Sequence, residues 1–459
     1  MDKNSSSAEP VASFPQLERA LHAWVCDAVG VLIAGSDPIV VTDSRHWQRD
    51  EDGHFRNRER AVPIWHSTDV EATRQGASWE AVEQALQEDE SLRRQLDQFN
   101  GTAQGGCDFN MEMLARHVLP LPNEVGDIEA AFARRYGELE RYLTAREIEY
   151  LVVWPLPGLA SDSFPIVIEA NLELDIMSDG ELVAALNAEV VRSPFPHFPL
   201  LPAETQQACL RYRYRLSKAI GESHLGAGSE IQTLGERLNE MRETLEQALS
   251  LSFTKPVAIS GQVTLLAEWA PYAGGVHYQE MRLTRAQRFR QLSIDPQAAA
   301  DFVATWQRLR RPGLFDQYKS IALAPRRLSY QAQRERVEDE LVDVLIAAEA
   351  LYLSDVGYEE LGFRLSLRAA ALSEPEKLGM TRRDVFNLMK SAYGVRSAVV
   401  HGDKPKAKDL KLKGTSVGLP EFMQSIEGVI RHGLQEALRR AAEPAASWPP
   451  DWDGMTLPK

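Results

Sequence analysis

Tyr393-Gly394-Val395-Arg396-Ser397-Ala398-Val399-Val400-His401-Gly402 sets an arginine and a histidine five residues apart, just before a lysine-rich segment. A guanidinium can hold a phosphate and its developing charge, and an imidazole can move protons, so the pair suits chemistry on a phosphodiester. Spacing alone is not informative, because Arg49/His54, Arg192/His197 and Arg60/His66 are similar pairs. Those fall in the polar turn Asp50-Glu51-Asp52-Gly53, or in stretches carrying Pro194 and Pro196, or Pro63, where no regular element can hold two side chains together. Arg396/His401 instead closes a helical pattern. Thr381 with Asp384 three residues on reads as an N-cap. Val385, Leu388, Met389, Ala392, Val395 and Val399 form one apolar stripe at a 3.6-residue period. Gly402 then reads as the C-terminal stop, with Pro405 beyond it.

At 100° per residue, Arg396 lies about 20° from Val385, inside the stripe, and His401 about 160° away from it. An arginine on the core side is either paired internally or aimed at a ligand, since an unpaired buried charge costs on the order of several kcal/mol. The first reading is a structural salt bridge, with Glu360 a candidate acid. The second brings Arg396 to a phosphate and leaves His401 at the rim.

Three blocks together carry a family resemblance. They are Asp343-Val344-Leu345-Ile346-Ala347-Ala348-Glu349-Ala350-Leu351, then Glu360-Leu361-Gly362-Phe363-Arg364-Leu365-Ser366-Leu367-Arg368-Ala369-Ala370, then Tyr393-x-Val395-Arg396-Ser397-x3-His401-Gly402. Over Asp295 to Ala442 the chain resembles the Apea-like HEPN family, found in prokaryotic defence-associated proteins. The resemblance implies an all-helical module that dimerises. In many relatives an arginine and a histidine from each protomer form a metal-independent endoribonuclease site. It therefore implies that Arg396 and His401 are catalytic, with Ser397, Tyr393, Glu360 and Arg364 in support. Ser397 stands where ribonuclease members often carry Asn, Asp or His.

The same region reads as a helical bundle without the resemblance. Asp295 to Arg311 is helical and ends at Pro312-Gly313; Phe315 to Gln331 is helical with Pro325 as a kink. Val337, Leu341, Val344, Leu345 and Ala348 make a further amphipathic helix to about Leu353. Phe422, Ile426, Val429, Ile430 and Gly433 make the last one. Glu360, Arg364 and Arg368 repeat every four residues, either as surface pairs or as support beneath Arg396.

Composition limits the remaining possibilities. At 459 residues the chain should hold two or three domains, and 44% hydrophobic content fits a globular protein. Met1 to Ser13 is Ser-rich without an apolar core, and Ala23 to Gly35 is too short to span a membrane, so a cytoplasmic location is expected. Cys26, Cys107 and Cys209 are isolated and odd in number, and no acidic cluster surrounds the motif; no cofactor and no metal are expected. A net charge of −15 argues against nucleic-acid binding over the whole surface. The sign reverses locally: Lys404, Lys406, Lys408, Lys411 and Lys413 follow His401 and are candidate RNA-backbone contacts, or else an ordinary solvated loop.

Upstream, the texture changes. The overall expectation is a multidomain α+β chain. Met1 to Ser13 is an unstructured start, Phe14 to Thr144 mainly helical, and Ala145 to Arg290 an α+β domain with a sensing role. Asp295 to Ala442 is the bundle, and residues 443–459 a Pro/Trp-rich tail. Short β-rich runs are read at Glu149–Trp154, Phe164–Ile168, Leu172–Ile176, Val257–Trp269 and Val276–Leu283, with helices at Asp179–Val190 and Ala203–Ile220. Gly226-Ala227-Gly228 lacks the residues of a phosphate loop. Ser44 to Asp69 gathers His46, Trp47, His54, Phe55, Trp65 and His66, a conceivable ligand pocket or a plain surface.

Two functions follow. In the first, a homodimer presents two Arg396/His401 pairs to one RNA strand and cleaves it without metal, restrained by the front domains, in an anti-phage role that the resemblance suggests. In the alternative, the bundle is a non-catalytic dimerisation or RNA/nucleotide-binding module.

Overall fold

The computed structural model describes residues 13–43, 47–49, 51, 55–57, 60–93, 111–145, 147–182, 208–217, 224–254, 257, 259, 261–266, 277–280, 292–331, 334, 336–355, 360–443 and 448–456. It is a multidomain α+β protein with two separate hydrophobic cores.

The first core lies in the N-terminal region. Helix α1 (Pro15–Ala34) buries Leu17, Leu21, Trp24, Val25, Ala28, Val29 and Leu32, an i, i+4, i+7 stripe. Strand β1 (Ile39–Asp43) pairs with β4 (Arg60–Ile64), and β2 (Trp47–Arg49) with β3 (Phe55–Asn57), both antiparallel. Helices α2 (Ser67–Thr73), α3 (Ala77–Glu88), α4 (Met111–Val118) and α5 (Ile128–Thr144) complete the layer. Trp24 stacks edge-on against Trp79 at 4.7 Å and donates its indole N–H to the Thr73 carbonyl. The His-and-aromatic segment thus proves partly β. Trp65 is a core residue whose indole N–H reaches the Pro120 carbonyl, and His66 is the residue preceding α2. His46 and His54 lie outside the described residues.

The second core joins a sheet to a helical bundle. Strands β5 (Glu147–Pro155), β7 (Ile166–Glu169), β8 (Leu172–Ile176), β9 (Ala208–Ser217), β10 (Gly261–Leu266) and β11 (His277–Glu280) form one antiparallel sheet in the order β11-β10-β5-β9-β8-β7. A short strand β6 (Leu159–Ala160) lies parallel to β12 (Leu292–Ser293). The expected helix over Ala203–Ile220 is corrected here, since Ala208–Ser217 is the strand β9 beside β5. The physical reason is a period of two: Leu210, Tyr212 and Tyr214 alternate with Arg211, Arg213 and Arg215. The first set joins the core. On the other face Arg211 is tied to Glu181 at 2.6 Å and to Glu173 and Asp175 at 2.8 Å. Of the expected helix Asp179–Val190, residues 179–182 are helical and the rest lie outside the described residues.

Helix α6 (His224–Ser252) is an element that the sequence reading does not anticipate. Its stripe of Leu238, Met241, Leu245, Ala248 and Leu249 packs on α7 (Pro296–Leu309), on the helix Lys319–Gln331 and on the final long helix Leu419–Ala442. The break before α9 (Lys319–Gln331) falls at Tyr318, after the short α8 (Leu314–Gln317), whereas Pro325 lies buried within α9. Helices α10 (Val337–Tyr352), α11 (Leu361–Leu372), α12 (Pro375–Leu378), α13 (Arg382–Val400) and α14 (Leu419–Ala442) follow; the hairpin β13 (Lys411–Leu412) and β14 (Thr415–Ser416) comes between α13 and α14. Trp306 of α7 donates its indole N–H to Glu169 of β7 at 2.7 Å, and Arg431 and Gln435 of α14 donate to the Ser250 and Leu251 carbonyls. Sheet and bundle therefore share one continuous core. In the tail, α15 (Trp452–Thr456) brings Trp452 against Tyr352, and Trp448 and Trp452 are both buried. No described helix is long and apolar enough to cross a membrane.

Candidate nucleic-acid interface along α13

Helix α13 begins where the sequence places it. Thr381 Oγ1 accepts from the Asp384 amide at 3.1 Å and Asp384 accepts from the Thr381 amide at 2.9 Å, a capping box. The Thr381 hydroxyl, donating to the Asp384 carboxylate at 2.6 Å, and then the Thr381 amide hold that carboxyl below its usual range. Val385, Leu388, Met389, Ala392 and Val395 are buried as the stripe requires.

The helix ends in a Schellman motif. Gly402 takes φ 86°, its amide bonds the Val399 carbonyl, and the Asp403 amide bonds the Ala398 carbonyl, each at 2.9 Å. A residue with a β-carbon is strained at that φ, so glycine is the natural stop. His401 is thereby the C-cap, with an exposed side chain that makes no hydrogen bond to a described residue.

Beyond Gly402 the chain turns back along α13. Buried Leu410 anchors it, and Val417 donates its amide to the Leu410 carbonyl. Lys413 and Gly414, with φ 49° and 82°, form the two-residue turn between β13 and β14. Between this loop and α13 lie two adjoining clefts of about 440 and 350 Å³. Lys390, Ser391 and Lys411 line both. Lys404, Lys406 and Lys408 join the first and Lys413 the second, facing Asp384, Asp403 and Asp409. The five lysines expected from the sequence are thus gathered in one groove, and Lys390 of α13 is a sixth that the sequence does not single out. Its clue is its helical spacing to Gly394, one turn away on the same face.

Arg396 points elsewhere. One guanidinium nitrogen lies 3.5 Å from Glu349 of α10, with both side chains about a quarter exposed (26% and 27%), while its Nε is buried without a hydrogen bond. Tyr393 shares this side, near Glu349. Burial, with the Glu349 charge next, pushes the phenol upward. Gly362 of α11 makes room, because a β-carbon there would sit 2.9 Å from Tyr393 Cδ1. By helix geometry Arg396 is turned about 140° from Ser391 and about 160° from Ala398, so the lysine groove and the arginine occupy opposite sides of α13.

The supporting residues separate as well. Glu360, expected as the partner of Arg396, is the exposed N-cap of α11 at φ 52° and pairs with neither Arg396 nor Arg364; the acid beside Arg396 is Glu349. Arg364 and Ser397 are exposed, and the Ser397 carbonyl accepts the His401 amide. Arg368 ties α11 to the end of α10 and to the tail: it bonds Asp355 and the Tyr352 carbonyl and lies 5.0 Å over Trp452. Sequence reading takes Cys26 as isolated and does not single out His22; their i,i+4 spacing is the one local sign that a helix sets them together. Glu129 of α5 joins them in space. Comparison with known proteins finds no matching family model, no similar curated protein and no similar solved structure.

Proposed function

We propose that the C-terminal bundle is an RNA-binding module of HEPN type that cleaves RNA as a homodimer, with Arg396 and His401 as its catalytic pair. The observation that carries this reading is the lysine-walled groove along α13, which sits in a chain of net charge −15 and lies beside the helix that ends in an exposed histidine. Cations concentrated in one groove of an otherwise acidic protein favour a polyanion at that groove.

In the proposed reaction the ribose 2′-oxygen attacks phosphorus and the bond from phosphorus to the 5′-oxygen breaks. The 2′-proton passes to one His401, and the His401 of the other protomer protonates the leaving 5′-oxygen, giving a 2′,3′-cyclic phosphate and a 5′-hydroxyl. Two imidazoles are required because one cannot be base and acid at the same moment. Arg396, with its Nε free of partners, would swing from Glu349 to meet the charge on the pentacovalent phosphate. The N-terminal and sheet domains would sense a trigger and restrain the nuclease, in keeping with a defence role. The test is cleavage of single-stranded RNA in EDTA by the full chain and by His401→Ala, with cyclic-phosphate ends as the expected product. Absence of cleavage by the wild-type dimer would sink the catalytic reading.

One observation favours a second reading, in which the bundle only binds. Arg396 leans on Glu349 on the side of α13 away from the groove. Under that reading the groove still binds RNA, and the RNA is recovered intact.

A further inference from the structure

His22 and Cys26 stand one turn apart on the same face of α1, and Glu129 approaches them from the first turn of α5. One donor atom from each, an imidazole nitrogen, the thiol sulfur and a carboxylate oxygen, lies within 4.8 Å of the other two. The His22 Nε2 is 2.9 and 3.0 Å from the two Glu129 oxygens. The imidazole is held edge-on against Phe132 at 4.9 Å. Phe132, Leu21 and Val25 belong to the N-terminal core, so the backbones bearing the donors are fixed relative to one another.

We propose that His22, Cys26 and Glu129 form a binding site for one zinc-class divalent ion on the N-terminal domain. The donor set decides the class. Nitrogen, thiolate sulfur and carboxylate oxygen together suit borderline ions such as zinc and cobalt, whereas calcium and magnesium take oxygen alone. The thiolate and the carboxylate balance the two charges of the ion, with the imidazole neutral. Tetrahedral coordination with ordinary zinc bond lengths separates donors by about 3.3–3.6 Å. The observed spacing reaches that by moving side chains about an ångström, Glu129 and Cys26 are exposed, and the ion takes the place of the His22–Glu129 hydrogen bond. Three protein ligands leave the fourth position to water, as in an open site. Bound there, the ion clamps α1 to α5 and stabilises the N-terminal domain; this is independent of any RNA chemistry in the bundle.

The experiment is a titration of the full-length chain, stripped of metal, with cobalt(II) as the spectroscopic stand-in for zinc. The expected result is a thiolate-to-cobalt charge-transfer band and tetrahedral d–d bands that saturate at one ion per chain, bleach on adding zinc and ignore calcium and magnesium. Cys26→Ser abolishes the charge-transfer band. His22→Ala and Glu129→Gln each weaken binding by about tenfold or more, since even outer partners of metal ligands cost that much. Zinc raises the melting temperature of the wild type and not of Cys26→Ser. Circular dichroism of the unloaded variants keeps a failure to fold distinct from a failure to bind, and the milder Glu129→Gln carries the test if Cys26→Ser misfolds. The proposal is overturned if no charge-transfer band saturates at a few-fold excess of cobalt, or if the band survives Cys26→Ser.

Discussion

On one side of α13, Arg396 and Tyr393 lean on α10 and α11, where Glu349 takes up the positive charge and Gly362 leaves room for the phenol ring. On the other side, Lys390, Lys404, Lys406, Lys408, Lys411 and Lys413 line an open groove and form no ion pair within 4.0 Å among the described residues. On one side of α13 an arginine is thus tied to an acid of another helix, and on the other Lys390 and the lysines of the chain beyond Gly402 share a groove with Asp384, Asp403 and Asp409. Counting cations in the sequence cannot separate the two, because the distinction is which neighbour each helix face meets. A nuclease needs both sides to serve one scissile phosphate, and a second protomer supplying the other His401 is one way to achieve that.

The largest expected effect breaks the comparison at its end point. His401→Ala should lower RNA cleavage by about 10²–10⁴-fold, the usual contribution of a positioned acid or base. Its melting temperature should stay near wild type, because an exposed C-cap side chain with no described partner costs under about 1 kcal/mol. Rates and melts of the two proteins decide this. A His401→Ala protein that melts far below wild type and cleaves normally makes His401 structural.

Next in size is the groove. Changing Lys404, Lys406, Lys408, Lys411 and Lys413 together to Gln should weaken binding to single-stranded RNA and flatten its salt dependence, by about 0.7 in the log–log slope for each phosphate that a lysine no longer neutralises. Adding Lys390→Gln should flatten the slope by one further such step. A salt slope equal to that of wild type would return the groove to ordinary solvated surface, and the two sides of α13 would no longer differ in function.

Much of this site is legible in the chain itself. The capping box, the apolar stripe and the glycine stop of α13 are local signals, and each is where its spacing puts it. What the sequence hides is long-range. Glu349 lies 47 residues from Arg396, and His22 lies 107 from Glu129, so no periodicity announces either contact. Ala208–Ser217 escapes for a different reason. Tyrosines and arginines alternate there at a strand's period of two, a signal that the helix reading over Ala203–Ile220 overlooks and that pairing along the whole of β5 makes plain. Helix α6 escapes because its start carries Gly226, Gly228 and Gly235, which weaken the helical signal, although Leu238, Met241, Leu245, Ala248 and Leu249 keep a helical spacing.

A smaller effect probes the packed side alone. Gly362→Ala would place a β-carbon 2.9 Å from the Tyr393 ring, and the ring must move. Overpacking of this kind costs about 1–3 kcal/mol. If Tyr393 holds Glu349 in place beside Arg396, cleavage should fall as well, while the salt slope of RNA binding stays that of wild type. An unchanged melt would mean that the ring has room to turn aside.

The smallest expected effect on stability concerns Arg396 itself, and it separates stability from chemistry. On the sequence alone Arg396→Ala would leave a buried acid unpaired, at a cost of about 3–5 kcal/mol. The structure reduces that figure. The acid is Glu349, its side chain is 27% exposed, and its nearest approach to the guanidinium is 3.5 Å, so water can replace the missing partner. A loss of about 1 kcal/mol or less is expected, in the range of partly exposed pairs. Glu349→Gln should cost no more, and the double variant should be nearly additive if the pair contributes little. Cleavage is expected to collapse in Arg396→Ala and to persist in Glu349→Gln, because only the arginine is asked to meet the phosphate. If instead both variants melt several degrees low and cleave alike, the pair is structural, and the groove across the helix is a binding site without a catalytic arginine.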